Sequence, residues 1–231
     1  MTAGVDTSFD YRSDTPPGKD PDEFSPTLRR HHQLLWSKEL PTDGHFDLTQ
    51  EPGSYLVHRS TLGTFHLASE TITTRLLGKA SRVRREIPDD ELPAYRGYTA
   101  GSTIVFPGNK IEKQMTINGA RGFHPRIADR FDLTLECIRR YYRGELPNPL
   151  GKPLHRYADF FALFKDFDGY VEFFLLQDLV NEDGTIRYFH PSTNDFSTKA
   201  AVPGNKTNYL EYLARSNDFI SARNRSIDAE P

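Results

Sequence analysis

The sequence predicts a single α+β domain, a small antiparallel sheet from the middle third packed against aromatic-rich helices. Three observations predict it. Helical spacing opens the ordered part of the chain, β-prone runs divided by turn residues fill the middle, and helical spacing returns from His124. A length of 231 residues suits one domain over 23–215, and no repeat divides it. Phe-His-Pro occurs twice, at 123–125 and 189–191, in surroundings that do not match.

In order, residues 1–22 read as a flexible N-terminal arm, because Thr15-Pro16-Pro17-Gly18-Lys19-Asp20-Pro21 favours neither a helix nor a ladder. Ser25-Pro26 starts a helix, with serine as cap and proline at the first position, where its missing N–H costs nothing. Leu28, His31 or His32, Leu35 and Trp36 share one face of it to about Lys38. Residues 55–60 and 64–68 are a hairpin about Thr61, Leu62 and Gly63. Beyond a charged loop through Arg82, Arg84, Arg85, Glu86 and Asp89, a strand is expected over 102–106. It turns at Pro107-Gly108-Asn109 and returns over 114–117, where Asn118-Gly119 closes it.

A helix starting at Pro125 carries Ile127, Phe131, Leu135, Ile138 and Tyr142 as one apolar stripe, and Gly144, Pro147 and Pro149 end it. A ring-filled helical region follows from Leu154, bent or divided near Asp168-Gly169. The run 171–180 is apolar on nearly every side and is expected to be the most buried element. Asp183-Gly184 leads into a short strand over 185–189, a last helix covers about 208–223, and 216–231 is expected to fray.

Composition excludes several classes. Lys and Arg total 29 against 32 Asp and Glu, a net charge of −3, so any anion site is local rather than a general nucleic-acid coat. Sixteen Phe and eleven Tyr against two Met describe a stiff, ring-filled interior. No apolar run approaches the roughly 18 residues of a membrane span, so no membrane partner is expected. One cysteine, Cys137, permits no internal disulfide, and the first residues lack a secretory pattern; the cytoplasm is the expected location.

The segments Arg130-Phe131-Asp132-Leu133-Thr134-Leu135-Glu136-Cys137-Ile138-Arg139-Arg140-Tyr141-Tyr142 and Gly169-Tyr170-Val171-Glu172-Phe173-Phe174-Leu175-Leu176-Gln177-Asp178-Leu179-Val180 carry a resemblance, with Ser25 to Arg30, Thr103 to Gly108 and Thr116 to Gly122. Over roughly residues 18 to 225 the chain resembles a bacterial family of uncharacterised proteins, known only as a domain of unknown function. The resemblance implies a single bacterial domain and transfers no catalytic residue.

The stretch 109–130 is the densest in chemistry. Lys110, Lys113, Arg121, His124 and Arg126 gather in a Gly- and Asn-rich loop that runs into the expected helix start at Pro125. A helix N-terminus favours phosphate or carboxylate, arginine adds bidentate geometry, and histidine exchanges a proton near neutral pH. The functional reading makes Arg121 and Arg126 clamps, Asn109, Lys110 and Asn118 further ligand contacts, and His124 an acid or base. The alternative is a solvated loop whose arginines pair with Glu112, Asp129 and Asp132. No nucleotide-binding glycine motif is present.

Other constellations are weaker. Asp129, Asp132, Glu136, Arg140 and Arg143 share one arc of the following helix; three carboxylates suit a hard cation, but acids first and arginines last is what the helix dipole and an i,i+4 pair favour. His58-Arg59-Ser60 is half of a two-histidine phosphoesterase pattern, and His66 lacks the other half; His58 and His66 facing across the hairpin would make an acid–base pair. Cys137 sits mid-helix without an activating base. His31-His32 are adjacent rather than i,i+4, and 166–169 is an incomplete calcium loop. No metal and no cofactor are expected.

These residues lead to a phosphate-bearing ligand, a nucleotide or RNA, at the loop before His124, with phosphoester chemistry on His124 or His58. The rival is a non-enzymatic interaction module, a homodimer or partner surface built on exposed rings such as Tyr157, Phe161 and Phe164. Convergence of Arg121, His124, Arg126, His58 and His66 on one cleft separates the two.

Overall fold

The computed structural model describes residues 4–72, 79–190, 195–199 and 202–230. Residues 1–3 of the expected arm, Pro191 of the second Phe-His-Pro and Pro231 of the expected tail lie outside them. Two helices lead. α1 (Pro21–Phe24) is capped by Asp20, and α2 (Pro26–Trp36) by Ser25, whose hydroxyl accepts the Leu28 N–H at 3.1 Å.

The sheet forms where apolar and polar residues alternate. β1 (Leu56–Ser60) and β2 (Gly63–Thr71) pair antiparallel, with Val57 opposite His66 and His58 opposite Phe65. β3 (Thr103–Pro107) pairs antiparallel with the later half of β2, from Leu67 opposite Pro107 to Thr71 opposite Thr103. The order is β1-β2-β3. Because β1 stops at the level of Leu67, the last residues of β2 have no described strand along their other edge. α1 packs there.

The helices that follow depart from the sequence expectations in ways that matter for the site. α3 (Lys79–Arg85) occupies part of the expected charged loop. Residues 114–117 do not return as a strand. The Thr116 hydroxyl accepts the Gly119 N–H at 3.1 Å and starts α4 (Ile117–Phe123), so Asn118-Gly119 is the first turn of a helix. Capping an orphan N–H outweighs the weak strand preference of the run. Nor does a helix begin at Pro125. Ala128 and Asp129 take left-handed φ values of 49° and 62°, which no right-handed helix accommodates, and α5 (Phe131–Arg143) starts after them. Gly144, at φ 64°, closes α5 in the left-handed conformation that glycine adopts without strain.

The ring-rich region is three short helices, α6 (Gly151–Arg156), α7 (Ala158–Ala162) and α8 (Phe167–Phe173). Asp166 caps the last, accepting the Gly169 N–H at 2.9 Å. The run 171–180 is not uniformly buried: Phe173, Phe174 and Leu176 are, whereas Glu172, Gln177 and Asp178 face solvent. The expected strand at 185–189 is reduced to one bridge, Val180 to Ile186. α9 (Lys206–Ala229) is longer than expected and buries Phe219, Ile220, Arg223 and Ile227, so 216–229 of the expected tail is helix against the core. Its close approach is allowed by Gly101, whose N–H binds the Asn224 side chain at 2.7 Å and where a Cβ would meet the Ile220 carbonyl at 2.6 Å. The N-terminal stretch is likewise packed. Tyr11 is in the core with its hydroxyl 2.8 Å from His31 Nδ1.

The core is a lattice of tilted and edge-on rings: Trp36, Phe46, Phe160, Phe161, Phe164, Tyr170, Phe173 and Phe174, with Trp36 to Phe174 centroids 5.2 Å apart. Each ring, fully buried, contributes roughly 1.5–3 kcal/mol. The polar face of α5 is buried too. Arg130 forks onto Asp132, both 0% exposed, and Asp132 also accepts the Phe189 N–H at 2.9 Å. Glu136 accepts from Arg139 and from Arg140, the latter at 2.7 Å as the i,i+4 pair. These acids are committed to arginines rather than gathered around a cation.

Candidate functional site

The cleft lies where β2 outruns β1. Asp20 caps α1 by accepting the Asp22 N–H at 3.1 Å, and Asp22 then reaches the free edge of β2. One Asp22 oxygen accepts the Ser69 hydroxyl at 2.7 Å and the other accepts that of Thr71. Ser69 Oγ in turn takes the Nε2–H of His32 at 2.9 Å, and His32 Nδ1 takes the indole N–H of Trp36 at 3.0 Å. With Nδ1 accepting, the single imidazole proton sits on Nε2. Burial holds His32 neutral, pushing its pKa down to about 3, and the nearby Arg223 charge adds to the effect. Serine, histidine and aspartate here are not a nucleophilic triad. The serine proton goes to aspartate, and no carboxylate orients the histidine.

Glu70 lies between Ser69 and Thr71 in the strand, so its side chain leaves from the opposite face. Its carboxyl has no hydrogen-bond partner among the described residues. Burial pushes the Glu70 carboxyl well above the usual carboxylate range; the Arg121 charge partly offsets this, and Asp22, Asp129 and Asp20 add to it. Asp22 is also raised by burial, against the hydroxyl bonds from Thr71 and Ser69.

Two adjoining hollows, each about 680 Å³, share Asp20, Asp22, Glu70 and Asn118. One is completed by Glu23, Ser54, Tyr55, His66 and Asn109, the other by Lys19, Arg121, Phe123 and Asp129. Five carboxyl groups thus face two cationic side chains. The combined cleft carries a negative field, and the unequal environments of Asp22 and Glu70 give it one hydroxyl-bonded acceptor and one carboxyl that holds its proton to a higher pH than an ordinary glutamate. Among the described residues, no group of three His, Cys, Asp or Glu side chains is placed to hold a metal ion.

The residues singled out from the sequence divide between this cleft and other surroundings. Asn109, Asn118, His66 and Arg121 line it. Arg121, 1% exposed, is spent internally: its nitrogens donate to Thr134 at 3.2 Å, Asn118 at 3.0 Å and the Asp129 carbonyl at 3.0 Å, and it pairs with the Asp129 carboxylate at 3.2 Å. It ties α4 to α5. His124 ends α4 and its Nδ1 accepts the Arg126 backbone N–H at 3.2 Å; burial and the Arg126 charge lower its pKa. The Arg126 and Lys110 side chains are exposed. Pro125 starts no helix, and α5 begins only at Phe131.

His58 and His66 do not face each other. Register puts Phe65 opposite His58 and Val57 opposite His66, so the imidazoles leave opposite faces of the hairpin. His58 is buried, stacked on Phe65, with Nδ1 3.1 Å from the Asp47 carbonyl, and burial lowers its pKa. His66 Nδ1 meets the Ser54 hydroxyl at 2.8 Å. Burial raises the Cys137 thiol far above its usual range, so it is inert. Tyr157, Phe161 and Phe164 are buried core rings rather than an exposed stripe.

Sequence reasoning missed Asp22, Ser69, Glu70 and Thr71. A signal existed: the alternation of β2 gives way to three consecutive polar residues, two hydroxyls flanking a carboxylate. His32 was legible only as a buried helix position, because its partner Ser69 is 37 residues away.

Among the described residues no helix is long and apolar enough to cross a membrane. One family model, described as a family of unknown function (DUF6994), matches residues 5–227. No curated protein and no solved structure matches the chain.

Proposed function

We propose a function from the cleft itself, because the chain belongs to DUF6994 and a family of unknown function carries no activity to transfer: the protein binds a small organic cation, an amine or guanidinium compound, between Asp22 and Glu70. The observation that carries this reading is the Glu70 carboxyl, half-buried where the two hollows meet and without a hydrogen-bond partner among the described residues. Glu70 is half-buried and its carboxyl is open to the cleft, so a ligand N–H supplies both a hydrogen bond and the opposite charge. Asp22, held by two hydroxyls, offers a second acceptor already in place, and the remaining acids steer a cation inward. A compound with several N–H donors suits this spread of acceptors better than a bare metal ion, since among the described residues no three ligand groups converge.

The phosphate-bearing ligand expected at the loop before His124 is less well supported. The arginine nearest the cleft is engaged by Asn118, Thr134 and Asp129, and the space beyond it is lined by acids. Thermal-shift and calorimetric titration with spermidine and agmatine, beside AMP and inorganic phosphate, decides between them. The cations are expected to raise the melting temperature, and Glu70→Gln to weaken their binding by at least about tenfold, the size of one lost charged hydrogen bond. A response to phosphate or AMP that Lys110→Ala with Arg126→Ala removes would overturn the reading in favour of the basic loop.

A further inference from the structure

A further cavity of about 600 Å³, which shares the Tyr95 and Tyr98 wall with the acidic cleft, opens between α3, the 89–98 segment and the first turns of α9. Its walls are rings, Tyr95, Tyr98, Tyr209 and Tyr212, and its rim carries Arg84 and Arg85. The rings are braced from outside. Tyr212 meets Phe189 edge-on at 5.9 Å, Tyr98 carries the Arg12 guanidinium 4.4 Å over its ring, and Tyr95 and Tyr98 lie 6.4 Å apart at 80°. Walls held in this way present flat aromatic faces without collapsing onto one another.

The charge at the rim is of the opposite sign to that of the acidic cleft. Arg84 donates to Asp89 at 2.9 Å, but the Asp89 side chain is 91% exposed, so the pair is solvated and readily exchanged for a better acceptor. Arg85 is exposed, and among the described residues its one hydrogen bond is a long one, 3.3 Å, to the Ser81 carbonyl. Arg84 is close enough to Tyr209 that its charge is felt at the phenol. A cation and the wall rings thus line the same cavity, within reach of one ligand.

We propose that this cavity is a second binding site, and that it takes a planar aromatic ring joined to an anionic group, with the ring among the tyrosines and the anion on Arg84 and Arg85. A mostly apolar pocket with a few polar groups at its mouth is the ordinary anatomy of a small-molecule site, and arginine is the side chain that receives carboxylate or phosphate with two parallel bonds. Tyr95 and Tyr98 also line the second hollow of the acidic cleft, but Arg84, Arg85, Tyr209 and Tyr212 do not, so the ring-and-anion requirement rests on residues apart from Asp22 and Glu70.

Isothermal titration of the full chain tests it with four probes: AMP, indole-3-acetate, adenosine and inorganic phosphate. Saturable binding is expected for AMP or indole-3-acetate, which carry both ring and anion; the first alone makes the anion a phosphate, the second alone a carboxylate. Adenosine and phosphate, each with half the requirement, are expected to bind at least about tenfold more weakly. Arg84→Gln with Arg85→Gln lies on the surface and should fold normally by circular dichroism; it is expected to weaken binding about tenfold or more, and Tyr209→Ala to do the same. Glu70→Gln is expected to leave this affinity unchanged, which separates failure here from failure in the cleft. No saturable binding of any probe, or binding indifferent to both the arginine pair and Tyr209, overturns the assignment.

Discussion

His32 Nε2 donates to Ser69 Oγ at 2.9 Å, and this bond joins the ring-filled core to the cleft. On one side His32 is fixed by the Trp36 indole, which is 0% exposed; on the other, Ser69 passes its own proton to Asp22. The carboxylate at the cleft is therefore oriented by residues that solvent does not reach. Ser69→Ala leaves the His32 N–H without its acceptor and Asp22 without one of two donors. It is expected to cost about 1–3 kcal/mol in urea unfolding and to weaken cation binding as well. Thr71→Val, which removes the other donor to Asp22 and leaves His32 paired, is expected to weaken binding with a smaller stability loss. Equal effects of the two variants on stability would refute the relay.

Arg223 is the second internal anchor. Its guanidinium lies 5.4 Å over Trp36, is fully buried, and donates to the carbonyls of Phe174, Gly101 and Thr103, so α9, β3 and the end of α8 meet on one side chain. Burial pulls its pKa down, with the Tyr170 and Tyr11 phenols opposing. Arg223→Met fills the volume but leaves several buried carbonyls unmet at about 1–3 kcal/mol each. A loss of at least about 3 kcal/mol is expected by chemical denaturation. Arg223→Lys is expected to recover only part of it, because one ammonium cannot reproduce the planar fork.

Arg121 and Arg126 looked equivalent in the sequence and are opposites in the fold. Arg121→Ala removes the bonds to Asn118, Thr134 and Asp129 that tie α4 to α5, and is expected to cost about 2–4 kcal/mol. Arg126→Ala touches an exposed side chain and is expected to change stability by less than about 0.5 kcal/mol. Melting temperatures of the two variants check the contrast directly.

What the sequence discloses follows from range. The α2 helix, the hairpin and the α5 stripe rest on local spacing, and their burial follows because apolar periodicity and solvent exclusion are the same fact. Helix starts were misread where one side chain decides: Thr116 turns an expected strand into α4, and two left-handed residues, Ala128 and Asp129, delay α5. The site was half legible. Asn109, Asn118, His66 and Arg121 lie on it, but its chemistry comes from Asp22 and Glu70, which are 48 positions apart and meet only because β1 ends early beside β2. No local pattern encodes that edge. His58 and His66 failed for the complementary reason: one residue of register decides which face a side chain takes.

The Glu70 carboxyl gives the last prediction, and its sign is fixed by linkage. Burial raises its folded pKa well above the ordinary 4.5, while the unfolded chain keeps a value near that reference. Between the two values the folded protein holds a proton that the unfolded chain has released, so stability falls as pH rises through this interval and is flat below it. Glu70→Gln cannot ionise. Its stability relative to the parent is therefore expected to grow as pH rises above about 4.5 and to level off beyond the folded pKa, read from urea unfolding between pH 4 and 8.5. Neutral, buried His32 and His58 act in the opposite sense, weakening both proteins as pH falls below about 6.5, and cancel in the difference. The same proton couples to the ligand. An organic cation prefers the ionised carboxylate, so its affinity for the parent should rise with pH over that interval and its binding should release a proton, seen as a heat that changes with the buffer. A stability difference that stays flat across the range would mean that Glu70 is an ordinary surface carboxylate, and a heat of binding that is the same in every buffer would separate it from the cation.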